Sequence, residues 1–255
     1  MAWSIESGLR EKTVLVTGAA SGIGKSVATA FAEVGARVCA VDINEAGVNE
    51  LVATFDDPDD HLAVGFDVTN TGEQDRLLRD VEGRLGNIYA LANVAAVVRR
   101  TELADVTEDD WALHTDVNLK ASFFLSRNAS MRMCEHGDGG VIVNFTSQSW
   151  WTGGYGGAAV YAAGKGGIVS FSRGLARSLG PYGIRVNTIA PGIIDTPMLR
   201  PGLSADALDS LVAEIPLGRL GEPEEVASVV IFLASDHGRY ISGATINISG
   251  GFLMY

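Results

Sequence analysis

This sequence predicts an α/β fold, one doubly wound domain on a parallel sheet, and three observations carry that expectation. A strand-like run, Thr13 to Thr17, passes directly into a glycine-rich turn and an amphipathic helix. Short apolar runs and helical patterns then alternate along most of the 255 residues, the signature of strand–helix–strand units whose ligands gather at the strand C-termini. No linker-like stretch divides the chain, and single α/β domains of this length are common.

Thr13, Val14, Leu15, Val16 and Thr17 are β-branched or apolar without a break, as suits a central strand covered on both faces. Gly18, Gly22 and Gly24 follow within Thr17-Gly18-Ala19-Ala20-Ser21-Gly22-Ile23-Gly24. Residues without a Cβ let the backbone turn tightly and a ligand come close. Ile23, Val27, Phe31 and Val34 then repeat at helical spacing, and Gly35 stands where a C′ residue ends a helix. The helix N-terminus therefore faces the turn, and its unpaired N–H groups and dipole suit a pyrophosphate. Glycines that serve packing alone are the alternative.

Arg37 to Val41 forms the second strand, and Asp42 at its tip lies eighteen residues after Gly24. An acid there can accept hydrogen bonds from the ribose hydroxyls of an adenosine. The same carboxylate repels a 2′-phosphate, and Ala19, Ala20 and Ile43, from which a base might have met that phosphate, are uncharged. The pattern predicts NAD rather than NADP, with a turn-capping Asp42 as the competing explanation.

Asp56-Asp57-Pro58-Asp59-Asp60 reads as a solvated acidic turn. Leu62 to Phe66 is a third strand leading into Asp67-Val68, Asp75 to Leu85 a helix closed by Gly86, and Ile88 to Ala92 a strand ending in Asn93-Val94-Ala95-Ala96. Thr107, with Asp110 in the capping-box place, opens a long helix that runs to Met133. Asn118 falls inside it, where asparagine either bends the helix by bonding to backbone or is kept for chemistry. After the Gly137–Gly140 break, Val141 to Phe145 is a buried strand that delivers Thr146, Ser147, Gln148 and Ser149 to the same edge. Beyond the loop Trp150 to Gly157, a helix runs to Leu179 with Gly180 and Pro181 as stop signals. Tyr161 and Lys165 share one face of it. An ammonium beside a phenol favours the phenolate and lowers its pKa from about 10, readying it as an acid or base; an ordinary surface pair is the alternative.

Hydrophobic residues make up 47% and charged residues 20%, which fits a large core and excludes disorder. A formal net charge of −12 argues against nucleic acid or an anionic membrane as partner. Cys39 and Cys134 make no disulfide framework, so a reducing cytoplasm is expected. Met1 to Glu6 lacks a basic region followed by an apolar run, and no window of about 18 apolar residues occurs, so neither export nor anchoring is expected.

Taken together these residues resemble the short-chain dehydrogenase/reductase family, from about Lys12 to Gly251. Thr17 to Gly24 is similar to its nucleotide loop, which places Gly18, Ser21, Gly22, Ile23 and Gly24 at the cofactor, with Asp42 on the ribose. The resemblance sets Asp67 and Val68 at the adenine. Asn93 stands where the family has the first of two asparagines before Ala-Gly, whereas the run here is Asn93-Val94-Ala95-Ala96; Ala95 goes with the cofactor loop. Pro191, Gly192, Ile194 and Thr196 resemble the loop over the nicotinamide, and Gly243 to Gly251 the final strand and turn. The resemblance implies a Rossmann domain with a central parallel seven-stranded sheet, helices on both faces, NAD as cofactor and no metal. It also implies a homotetramer. Apolar surface on the helices Thr107 to Met133 and Ala159 to Leu179, and the apolar tail Gly251 to Tyr255, support that assembly.

By the same resemblance Asn118, Ser147, Tyr161 and Lys165 form a catalytic tetrad. Gln148 lies thirteen residues before Tyr161, where the family commonly has its serine, so a one-residue insertion is implied. Ser147 is chosen because the strand before it matches, and Ser149 is the alternative. The implied reaction is hydride transfer between a secondary alcohol and NAD: Tyr161 takes the hydroxyl proton and Ser147 holds the substrate oxygen. Lys165 lowers the tyrosine pKa and bonds the nicotinamide ribose, and Asn118 holds a water through distorted backbone. The rivals are a non-catalytic dinucleotide sensor and an NADPH-dependent 3-oxoacyl reductase, the latter opposed by Asp42 and the acidic surface.

For the small-molecule substrate, Arg99 and Arg100 follow the cofactor loop and can pair bidentately with a carboxylate, or be solvated loop residues. Gln148, Trp150, Trp151 and Tyr155, with Met198 and Leu199 from a lid spanning about 193–215, offer aromatic and apolar faces. A sugar, sugar acid or cyclic alcohol is expected over a long acyl chain.

Overall fold

The computed structural model describes residues 7–200 and 204–254; the N-terminal segment Met1 to Glu6, residues 201–203 of the lid and Tyr255 of the apolar tail lie outside the described residues. The elements run β1 (Thr13–Thr17), α1 (Gly22–Glu33), β2 (Arg37–Asp42), α2 (Glu45–Val52), β3 (Leu62–Gly65), α3 (Gln74–Leu85) and β4 (Ile88–Asn93). They continue with α4 (Glu108–His114), α5 (Ala121–His136), β5 (Gly140–Phe145), α6 (Ser149–Thr152) and α7 (Ala159–Leu179), then β6 (Ile184–Pro191), α8 (Ala205–Ala213), α9 (Pro223–Ala234) and β7 (Thr245–Ile248). The seven strands form one sheet in the order β3-β2-β1-β4-β5-β6-β7, every pair parallel.

Successive side chains of a strand point to opposite faces, and here both faces are covered. Val14, Val16, Val38, Ala40, Ala90 and Val143 pack with Val27 and Phe31 of α1 and Val226, Val230 and Leu233 of α9. Leu15, Cys39, Val41, Leu91 and Ile142 pack the other way, against Leu78 and Val81 of α3 and Leu125 and Met133 of α5. Such two-sided cover is why the strands read as unbroken apolar runs. Each fully buried Val, Leu or Phe contributes roughly 1.5–3 kcal/mol. Cys39 belongs to this core; burial pushes its thiol up to about 12, which leaves it inert.

Two local expectations change. The capping box at Thr107 and Asp110 forms as the residues predict, but α4 ends at His114 and a π-helical turn, Thr115–Lys120, joins it to α5. The single helix from Thr107 to Met133 is therefore two, and Asn118 sits in the widened turn between them. The stretch from Trp150 is also not all loop, since Ser149–Thr152 closes one helical turn, ended by Gly153 at φ 82°. Within 193–215 the described residues include an ordered helix, α8, capped by Ser204. Among the described residues, no helix is long and apolar enough to cross a membrane, and no group of three or more His, Cys, Asp or Glu residues could hold a metal ion.

Candidate active site

Parallel strands bring all their C-termini to one edge, and Asp42, Asn93 and Pro191 are the last residues of β2, β4 and β6. The sheet order reverses between β1 and β4, the switch point where α/β sheets open a crevice.

Backbone geometry builds the β1 side of that crevice. Gly18 and Gly22 have φ of 69° and 53°, conformations that a Cβ disfavours. A Cβ on Gly24 would stand 2.0 Å from Gly18 O, and one on Gly18 would stand 2.8 Å from Ala95 Cα. The loops after β1 and β4 thus touch, and Thr17 Oγ1 accepts hydrogen bonds from the N–H groups of Val94 (3.1 Å) and Ala95 (3.2 Å). Ser21, the N-cap of α1, makes no side-chain capping bond, so its hydroxyl leaves the first amides of the helix to another acceptor. Ile23 lies in this first turn of α1.

Asp42 Oδ2 accepts from Ala20 N (3.0 Å) and Oδ1 from Asn44 N (2.9 Å). The carboxylate therefore does cap turns, yet it stays half-exposed beside the glycine loop. Asp67 Oδ1 accepts from Thr69 N and Thr69 Oγ1, and Val68 O accepts from Gln74 Nε2. From the far side, Gly192 N donates to Ile248 O at 2.8 Å, and buried Ile194 bridges to Gly221. Thr196 then reaches Gly22, whose Cβ would lie 3.3 Å from Thr196 Cγ2. The Pro191–Thr196 segment and the glycine loop thus touch at the C-terminal edge of the sheet. The side chain of Asn93 turns into the sheet. It donates to Asn144 Oδ1 (2.8 Å) and Ser126 Oγ (3.0 Å), while Asn144 donates to Ser172 Oγ (3.0 Å), a buried polar layer beneath the site.

Side-chain pairings build the β5 side. Tyr161 lies beside Ser147, close enough for the serine hydroxyl to favour the phenolate. Ser147 Oγ in turn donates to Ser149 Oγ (3.3 Å) and accepts from Ser149 N (3.2 Å). Burial pushes the Tyr161 phenol above its ordinary value, while the neighbouring Ser147 hydroxyl and the positive charge of Arg100 oppose that rise. Lys165 Nζ lies 5.6 Å from the Tyr161 ring centroid and donates to Phe145 O at 2.7 Å, and burial lowers its own pKa to about 7. Lys165 and Tyr161 are thus neighbours on one face of α7.

Asn118 is fully buried, and both ends of its amide hold one residue: Oδ1 accepts from Val97 N and Nδ2 donates to Val97 O, each at 2.9 Å. It therefore ties the loop after β4 to the π-helical turn instead of bonding within its own helix. Arg99 is likewise tied to its own fold through one N–H group while its side chain stays 56% exposed. Its guanidinium donates to Asp110 Oδ1 at 3.1 Å, within reach because the capping box fixes that carboxylate and holds its pKa down at about 2. Gln148 N donates to Pro191 O at 3.2 Å, and its buried Oε1 has no hydrogen-bond partner among the described residues. Trp150 and Trp151 stack edge to face at 5.2 Å; Trp151, Tyr155 and Met198 are exposed.

One residue the sequence reading passed over is His114. It is buried, its Nε2 accepts from Arg99 N (3.0 Å), its Nδ1 lies 2.8 Å from Asp110 O, and its ring meets that of Tyr161 edge-on at 6.2 Å. Helical spacing from Asp110 to His114 to Asn118 was the available signal.

A doubly wound sheet whose switch point joins a glycine turn to a Ser–Tyr–Lys cluster is the architecture of a dinucleotide-dependent oxidoreductase. The chain belongs to the short-chain dehydrogenase/reductase family. The family model described as enoyl-(acyl carrier protein) reductase matches residues 18–253. The (3R)-3-hydroxyacyl-CoA dehydrogenase of Mus musculus is 36% identical over 255 residues, covering 96% of this chain and 98% of its own. The 3-oxoacyl-[acyl-carrier-protein] reductase of Thermotoga maritima is 38% identical over 249 residues, with 96% and 99% covered. A crystal structure from Brucella melitensis, described as a short-chain dehydrogenase/reductase, glucose/ribitol dehydrogenase, superposes with a TM-score of 0.91 at 30% identity, covering 98% of this chain and all of its own. These proteins are named for three different substrates, whereas each is named a dehydrogenase or a reductase.

Proposed function

We propose that this chain interconverts a secondary alcohol and a ketone with NAD, using Asn118, Ser147, Tyr161 and Lys165. The convergence of Tyr161 and Lys165, with Lys165 Nζ 5.6 Å from the phenol ring, on the β5 edge that carries Ser147 supports the reading. A cradle that any Cβ at Gly24 would fill, at the N-terminus of α1, suits a pyrophosphate. Bound NAD supplies the hydride acceptor. In the direction of oxidation Tyr161 Oη receives the hydroxyl proton, and Ser147 hydrogen-bonds the substrate oxygen and holds it in line. Lys165 would hold the nicotinamide ribose hydroxyls. Asn118, by fixing Val97, keeps the loop after β4 in register with the tyrosine.

Asp42, half-exposed beside Ala20 with uncharged Ile43 next to it, supports NAD over NADP. A sugar, sugar acid or cyclic alcohol suits exposed Trp151 and Tyr155. The exposed apolar side chains of Trp111, Phe123, Phe124 and Met131 support a homotetramer, and the cysteine usage supports a cytoplasmic location. The rival, NADPH-dependent reduction of 3-oxoacyl thioesters, draws on the names of the mouse and Thermotoga relatives, and Asp42 opposes it. Turnover of polyols, sugar acids, cyclic alcohols and 3-hydroxyacyl-CoA, each with NAD and with NADP, tests the proposal. NAD should be preferred, and Asp42→Ala with Ile43→Arg should move the preference toward NADP; an unchanged ratio removes Asp42 from the ribose.

A further inference from the structure

We infer that His114 is a positioning residue for Tyr161: its ring sets the phenol, its Nε2 sets the loop after β4, and the two are thereby held in one register. The inference rests on the hydride-transfer reading above and adds a residue to it.

His114 ends α4 and is 1% exposed. Both ring nitrogens are occupied, since Nδ1 lies 2.8 Å from Asp110 O and Arg99 N donates to Nε2 at 3.0 Å. A carbonyl accepts and an amide donates, so these partners assign the ring proton to Nδ1 and leave Nε2 as an acceptor. No ring nitrogen is then left for the phenol. What meets Tyr161 is the ring itself, edge-on, with centroids 6.2 Å apart and planes at 71°, a geometry that aromatic pairs prefer. His114 therefore acts on the reaction through the place of Tyr161, and carries no proton for it.

The ring has a firm base. One turn earlier on α4, Asp110 is fixed by the capping box with Thr107 and by the Arg99 guanidinium at 3.1 Å. One turn later, Asn118 holds Val97 by both ends of its amide. The tyrosine helix packs against the same stretch: a Cβ on Gly164 would lie 3.6 Å from His114 O and 4.0 Å from Asn118 Cβ. Asp110, His114 and Asn118 all brace the loop after β4, and His114 is the member of this row whose ring also meets Tyr161.

The test separates the ring from the nitrogen. His114→Phe keeps an aromatic ring and loses the acceptor, whereas His114→Gln keeps an acceptor and loses the ring. Both are compared with wild type on the alcohol of the panel above that wild type oxidises best, by steady-state KM and by the single-turnover rate of NADH formation. His114→Phe should raise KM for the alcohol about tenfold, the upper scale of one hydrogen bond, with the single-turnover rate nearly unchanged. His114→Gln should do the reverse, lowering that rate by about tenfold to 10²-fold, the scale of a misplaced reacting group. The pH profile of kcat/KM should keep its limbs in His114→Phe, because no proton passes through the imidazole. A limb lost there makes His114 an acid or base and overturns the inference. Equal changes in KM and rate in both variants, or none, also overturn it, because a merely structural residue would not divide the two.

A second measurement needs no variant to fold. In nitrogen-resolved NMR of wild type at pH 8, the His114 ring should carry its proton on Nδ1; a proton on Nε2 excludes the bond from Arg99 N and overturns the inference. Failure of either measurement in an enzyme that oxidises alcohols leaves the hydride-transfer reading standing. If wild type oxidises no alcohol of the panel, that reading falls and this inference with it.

Discussion

The two sides of the crevice are held by different means. After β1 the chain is shaped by the absence of side chains: Gly18, Gly22 and Gly24 occupy places where an added carbon meets backbone. After β4 the chain is shaped by side chains reaching across from other elements, Asn118 to Val97, His114 to Arg99 and Asp110 to the Arg99 guanidinium. A backbone-shaped loop is pre-formed and tolerates no change in place, whereas a side-chain-braced loop can be loosened one brace at a time. The first suits the invariant pyrophosphate of a dinucleotide, the second a substrate that varies between relatives of one fold.

That contrast can be broken or sharpened by experiment. Gly24→Val carries the largest expected effect, since its Cβ would stand 2.0 Å from Gly18 O. Overpacking of this kind costs about 1–3 kcal/mol or more, so thermal stability should fall and the stabilisation by NAD should vanish. Wild-type NAD affinity in this variant would show that the loop is not shaped by sterics.

Tyr161→Phe should lower kcat by at least ~10²-fold, the scale of a lost general acid or base, while NAD still protects against heating. Ser147→Ala should follow it and Ser149→Ala should not, since Ser147 is the serine whose hydroxyl acts on the phenol. The reverse order in steady-state kinetics would make Ser149 the catalytic serine.

Asn118→Ala should leave Val97 N–H and C=O without their partners, at about 1–3 kcal/mol by urea unfolding. Its KM for the alcohol should rise more than its NAD dissociation constant. Equal effects on both would erase the distinction between the two loops.

The smallest effect is on pH dependence. Burial holds Lys165 near pKa 7 in the fold, against an ordinary 10.5. Between these values the unfolded chain carries the proton and the fold does not, so this group's contribution to stability rises with pH across about 7 to 10 and is least favourable below 7. In calorimetry, Lys165→Met should gain most over wild type near pH 7, and the gain should shrink toward pH 10. A pH-independent difference would mean that Lys165 is charged in the fold.

The sheet and the glycine turn were legible because each rests on local residue types: unbroken apolar runs for strands covered on both faces, glycines where a Cβ has no room. The capping box at Thr107 was legible for the same reason. The π-helical turn was not, since nothing in Thr115 to Lys120 marks the extra residue and the bonds that occupy Asn118 come from Val97, twenty-one positions away. Arg99 and Arg100 are the same residue type side by side, and only the reach of Asp110 separates them. Lys165 also defeats a local reading, because its spacing from Tyr161 says nothing of how deeply it is buried.

The strand order has a consequence for how the chain is made. β1, β2 and β3 extend the sheet one way from β1, and β4 to β7 extend it the other way. During synthesis the first three strands can pair as soon as they emerge, but β1 keeps one bare edge until β4 arrives and passes back over two finished strands to reach it. From then on each new strand docks on the one made just before it, and none has to pry apart strands already joined. An unpaired central edge is therefore open to another chain longest in the stretch of translation between β1 and β4. The final borders, β3 and β7, are only four residues long each, so the finished sheet offers little edge for a stray strand to extend.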